Sequence, residues 1–250
     1  MKRLLRSRLA AGTPLVILIA TVAVVWVTHG RPGADRVRVE NKTRSLAVVS
    51  VNDAGAVKAG LSQFDVTVRN GSDKPVAVYS IRVEDSSTDE GTVSAVERGG
   101  LTDNWSLPPN GTDVVRVTAA SGGNVVLTVY AVMFEDGAGE GDRNDLRRLH
   151  EVRAGVKLGY QRIAPILRRA AKENGTVAAD AAVRVLSDEV ASVSETAVPL
   201  NFRRGFVQAR GFVGTELDDV KGRLRSDPSL RHGAEVGKKL AQIEKALARL

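Results

Sequence analysis

The hydrophobic period changes once along this chain, and that change limits its possible architectures more than any other feature. Between residues 45 and 134 apolar side chains come in short runs that alternate with polar ones. Phe64, Val66 and Val68 share one face of such a run, and Tyr79, Ile81 and Val83 share a face of another. A period of two is that of a half-buried strand. Strands are predicted over 45–51, 56–61, 64–69, 76–84, 92–96, 113–118 and 125–134, with reversals at Asn70-Gly71, Pro108-Pro109-Asn110-Gly111 and Gly122-Gly123. This pattern predicts an antiparallel β-sandwich over 45–136. The run 125–134 is apolar at nearly every position, so both of its faces need cover, and the helical segment is the candidate for the second.

From about Asn144 the spacing becomes helical. Leu149, Val152, Val156, Tyr160, Ile163 and Leu167 form one stripe, in which Pro165 predicts a kink or break. Asn174-Gly175 ends that helix, and a second is predicted to run to about Val193. A third has Asn201 as its N-cap and a stripe from Phe202 to Leu224, and Asp227-Pro228 separates it from a fourth that carries Val236, Leu240, Ile243, Leu247 and Leu250. Short helices are marginal alone, so hairpins or a small bundle are expected over 137–250.

The N-terminus suggests an anchor. Lys2, Arg3, Arg6 and Arg8 precede an uncharged run from Leu9 to Thr28, about the 20 residues that cross a bilayer core. A cleaved signal would end in small residues, whereas this segment ends in Trp26-Val27-Thr28-His29. The expectation is a cytoplasmic tail at 1–8, a single-pass transmembrane signal-anchor at 9–29 and a linker at 30–44. It places the remaining chain outside the cytoplasm, on the cell's inner or cytoplasmic membrane. The sequence contains no cysteine, which removes disulfides, thiol nucleophiles and Cys-type zinc sites.

The most distinctive stretch is 135–142, where Glu135, Asp136, Glu140 and Asp142 surround three glycines. Hard oxygen ligands of this kind suit calcium, although the spacing is not that of an EF-hand. Gly137-x-Gly139 imitates half of a dinucleotide fingerprint, but Asp142 stands where its last glycine is needed. The structural alternative is a tight turn whose glycines take positive φ and whose Asp142 or Asn144 caps the next helix. His150-Glu151 begins like a zinc-protease motif, but Ala154 replaces the second histidine. No nucleophile with its base is recognisable, and no cofactor is implied.

Basic residues outnumber acids nine to two over 1–44 and twenty-one to thirteen over 143–250, whereas the middle holds six against fourteen. The basic pairs Arg147-Arg148, Arg168-Arg169, Arg203-Arg204 and Lys238-Lys239 are short, interspersed with acids and poor in aromatic neighbours, which argues against nucleic acid. Sequons begin at Asn41, Asn70, Asn104, Asn110 and Asn174, and three of them are Asn-Gly turns.

The string 66–76, the turn Leu107-Pro108-Pro109-Asn110-Gly111 and the run 129–134 followed by Glu135-Asp136-Gly137 and Glu140-Gly141-Asp142 together resemble part of a bacterial family. Its members are membrane-anchored envelope proteins with an immunoglobulin-like or fibronectin-like domain and a helical tail. The resemblance spans roughly 45–165 and implies an α+β class: an N-terminal transmembrane helix, an Ig-like antiparallel β-sandwich and a C-terminal α-helical segment. The function expected is that of a noncatalytic, membrane-tethered extracytoplasmic binding or scaffold protein with a protein partner in the envelope. The alternative is an envelope hydrolase or metal-dependent enzyme built on the acidic turn 135–142.

Overall fold

The computed structural model describes residues 37–58, 60–85, 92–99, 105–120, 124–172, 179–227 and 229–250. Its strands are β1 (Val37–Asn41), β2 (Leu46–Lys58), β3 (Leu61–Asn70), β4 (Val76–Asp85), β5 (Thr92–Arg98), β6 (Thr112–Ala120), β7 (Val125–Phe134) and β8 (Gly139–Gly141). The helices are α1 (Arg143–Lys172), α2 (Ala179–Ala191), α3 (Arg203–Ser226) and α4 (His232–Arg249), with a 3-10 turn at Leu200–Phe202 before α3.

One sheet runs β1-β7-β4-β5, with β8 also on β7, and the other runs β2-β3-β6. Phe64, Val66, Val68, Val115 and Val117 of the second sheet bury against Tyr79, Ile81, Val83, Leu127 and Val129 of the first. The expected class needs correction on two counts. The first sheet is mixed rather than antiparallel, because β1 pairs with β7 in parallel from Val37 opposite Val125 to Asn41 opposite Val129. The chain folds as a mixed α/β arrangement of two sheets and four helices among the described residues. The expected transmembrane helix at 9–29 lies outside those residues, and no described helix is long and apolar enough to cross a membrane. The membrane-spanning, single-pass reading therefore has no support in the fold.

Two β-bulges explain the apolar run in β7. The β4–β7 register shifts between Val76 and Val78 and again between Ser80 and Ile81. A bulge places an extra residue on one strand and so exchanges the faces of those beyond it. Val125, Leu127, Val129, Val132 and Phe134 point into the intersheet core, whereas Val78, Ala131 and Met133 point the other way, onto Leu149 and Leu146 of α1. The second face of β7 is thus covered by a helix.

The helical layer surrounds α1. Its stripe of Val152, Val156, Tyr160, Ile163 and Leu167 is buried with Val183 and Leu186 of α2, Val213 and Leu217 of α3 and Val236 and Ile243 of α4. α1 continues through Pro165, contrary to the predicted break. The proline is exposed, as is Gln161, whose carbonyl would otherwise accept the missing N–H, so water can satisfy it there. Asn201 does not cap α3; it lies in the 3-10 turn and its Nδ2 donates to Glu151 Oε1 at 3.4 Å. That turn approaches α1 closely because Gly155 has no side chain: a Cβ there would lie 2.0 Å from the Phe202 carbonyl oxygen.

Candidate functional site

The acidic turn 135–142 joins β7 to α1 through β8. Gly141 takes φ 115°, and a Cβ there would sit 2.1 Å from the Tyr130 carbonyl oxygen. The tight return therefore requires glycine. Its four carboxylates do not converge. Glu135 pairs with Arg249 at the end of α4. Asp136 accepts from Lys74 Nζ at 2.7 Å and from the Ala138 N–H at 2.9 Å, and these contacts, the lysine's first, hold its carboxyl below the usual carboxylate range. Glu140 accepts the N–H groups of Arg44 and Ser45 at 3.0 and 3.1 Å and the Ser45 hydroxyl at 2.7 Å. Asp142 caps α1 through the N–H groups of Asp145 and Asn144, which also depress its pKa.

Each acid thus fastens a different element to the turn. A calcium ion needs six to eight oxygens around one point, and the described residues contain no group of three or more His, Asp or Glu placed to hold a metal. The dinucleotide reading fares no better, since the helix N-terminus it would use is already occupied by Asp142.

Two concave surfaces flank the N-terminal half of α1. The first, of about 470 Å³, lies between Lys42, Arg82, Tyr130, Asp142, Asn144, Asp145 and Arg148. Lys42 and Arg82 stand 4.0 and 3.9 Å from the Tyr130 ring centre, and the Tyr130 hydroxyl donates to Glu84 at 3.0 Å. Burial, and then that carboxylate, push the phenol's pKa up, so it is no base. Asp145 is buried and binds Arg82 and Arg148, each at 3.2 Å, while Glu97 takes Arg148 at 2.6 Å and Arg204 at 3.2 Å. Its charges largely neutralise one another, and the network ties β4 and β5 to α1 and α3.

The second is an open groove of about 710 Å³ on the other side of α1, lined by Gly141, Arg143, Leu146, Arg147, His150, Glu151, Ala154 and Phe202. The helix spacing explains its composition: Arg143, Arg147, His150 and Ala154 follow one another at intervals of four, three and four, on the face opposite the buried stripe. Arg143 and Arg147 make no ion pair among the described residues, and the one contact of Arg147 is to Asn144 Oδ1 at 3.4 Å. A cation in the first turn of a helix, here Arg143, opposes its dipole, at a cost of about 0.3–1 kcal/mol when exposed. Two like charges at i and i+4 add about 0.2–0.5 kcal/mol. Sequence reasoning noticed Arg147-Arg148 as a pair but missed that the two separate, Arg148 into the ion network and Arg147 onto the groove. The helical angle between neighbours, about 100°, was the signal available.

No family model matches the sequence, and neither a curated protein nor a solved structure matches it.

Proposed function

We propose that this domain is a noncatalytic binding or scaffold module, as the sequence leads one to expect. The observation that carries this reading is the division of labour among its charges. The acids of the turn 135–142 are engaged in holding elements together, whereas Arg143 and Arg147 of the outer α1 face line an open groove and form no ion pair among the described residues; the carboxylate in that lining, Glu151, accepts from Asn201. A hydrolase or metal enzyme built on the acidic turn would require those carboxylates to face one reacting point, and each turns to a different partner.

Photo-crosslinking residues placed one at a time at exposed sites on the two sheets and the helical layer, in cells producing the full chain, test the proposal. Discrete protein adducts at one patch are expected. Their absence at every site, under several growth conditions, would sink it. An extracytoplasmic location is part of the same proposal, and protease access to a C-terminal tag in intact against lysed cells tests it.

A further inference from the structure

Building on that binding reading, we infer that the α1 groove receives an acidic segment of a partner protein, one in which carboxylates flank a bulky apolar side chain. The groove's lining combines apolar Leu146, Ala154 and Phe202 with Arg143, Arg147 and His150, and with Glu151, which accepts from Asn201 Nδ2. Leu200, in the same 3-10 turn as Phe202, adds apolar surface that is 77 % exposed. Arg143 in the first turn opposes the helix dipole, Arg143 and Arg147 repel each other, and neither forms an ion pair among the described residues, although Asp142 caps the helix and Arg147 donates to Asn144 Oδ1. A carboxylate laid between them would relieve both at once.

The shape selects among anions. A concave, partly apolar lining accepts an inserted side chain, as helix and peptide grooves do. A flat bilayer surface or a nucleic-acid backbone needs a broad basic face. Here the basic strip is one helix wide and carries an acid, Glu151, within its own lining. Arg148 shows the contrast: it lies one residue from Arg147 and has two carboxylates of its own.

A random peptide library displayed on phage, panned against the full chain, provides the test. Enriched peptides should carry Asp or Glu on both sides of Leu, Phe or Trp and should bind more weakly as salt rises. The double variant R143E/R147E should bind them about tenfold or more weakly, yet melt no lower than the wild type, because acids suit a helix N-terminus. Ala154→Gln, which fills the groove without altering charge, should also weaken them. Enrichment without acidic residues, or equal binding to R143E/R147E, overturns the inference. So does an empty selection, including one in which phosphatidylglycerol vesicles or poly-U RNA bind through the same arginines. Crosslinks confined to the sheets would remove this inference and leave the binding reading standing, whereas crosslinks nowhere would remove both.

Discussion

Asn70 has no exposed surface, and its side-chain amide faces the carbonyl oxygens of Lys74, Leu107 and Pro108 at 2.8, 3.1 and 3.2 Å, while its Oδ1 accepts the Ser72 N–H at 3.0 Å. It closes the β3–β4 turn and pins the 107–111 loop to it. Asn70→Ala would strand several buried polar groups and is expected to lower stability by about 2–3 kcal/mol in urea unfolding. Loss below half of that would mean that water replaces the amide. Asn41 and Asn110 also serve turns: Asn41 accepts the Thr43 N–H, and Asn110 adopts φ 59°, a conformation asparagine tolerates. The Asn-Gly turns were legible in the sequence as reversals. The burial of Asn70 was not, because its amide's partners are carbonyls whose positions depend on a loop far away in the chain.

Among the elements, the glycines of the helices divide by what surrounds them. Gly155 and Gly205 interlock α1 and α3, since a Cβ on Gly205 would lie 2.0 Å from the Val152 carbonyl oxygen. Gly211, Gly214 and Gly222 on α3 have nothing within 4 Å of such an atom. Gly155→Ala should therefore destabilise, by about 1–3 kcal/mol as an overpacked contact, and loosen the 3-10 turn that lines the groove. Gly214→Ala should stabilise by about 0.5–1 kcal/mol, by restricting the unfolded chain and improving helix propensity. Thermal melts followed at 222 nm distinguish the two, and a stable Gly155→Ala protein would show that the helices can part at no cost. Most strand and helix positions followed from the periods of two and 3.6, but the separate strand predicted at 56–61 is the end of the long β2 and the start of β3, and β1 and β8 fall in stretches read as linker and helical region. The bulges in β4 and β7 were not readable, because an all-apolar run looks the same whichever face each residue takes.

For the molecule as a whole, the question is how the sheets and helices share stability. Leu149, Met133 and Ala131 are fully buried at their junction. Leu149→Ala is expected to cost about 2–5 kcal/mol. It should also separate two unfolding transitions that coincide in the parent, one seen by Trp105 fluorescence in a Trp26→Phe background and one by helical circular dichroism. Coincident transitions in the variant would mean that the ion network alone couples the layers. The candidate site follows the same logic: the acidic turn stood out in the sequence as unusual, but its role as a fastener depended on Arg249, Lys74 and Ser45, which only the assembled layers bring to it.

Acid should expose the dependence on those charges. Asp136 and Asp142 titrate below their ordinary value of 3.8, and Glu235 below its 4.5, chiefly through Lys74, the α1 backbone and Lys238 respectively. Their contribution is present above those ordinary values and is lost as the pH falls through the depressed ones. Tyr130 acts in the opposite sense, since its raised pKa makes stability fall as the pH climbs past 10.0. The melting temperature should therefore hold a plateau between these limits, and Glu235→Gln should lower the plateau and flatten its acid edge. An acid edge unchanged in that variant would exclude Glu235 as a contributor.

The parallel pairing of β1 with β7 also bears on the timing of synthesis. Val37 leaves the ribosome well before Val125, its partner. At about 5–20 residues per second the delay is on the order of ten seconds. Throughout that interval β1 has no edge to join, and β2, β3 and β6 can form their sheet without it. The strand nearest the N-terminus in the sheet is thus among the last to find its place.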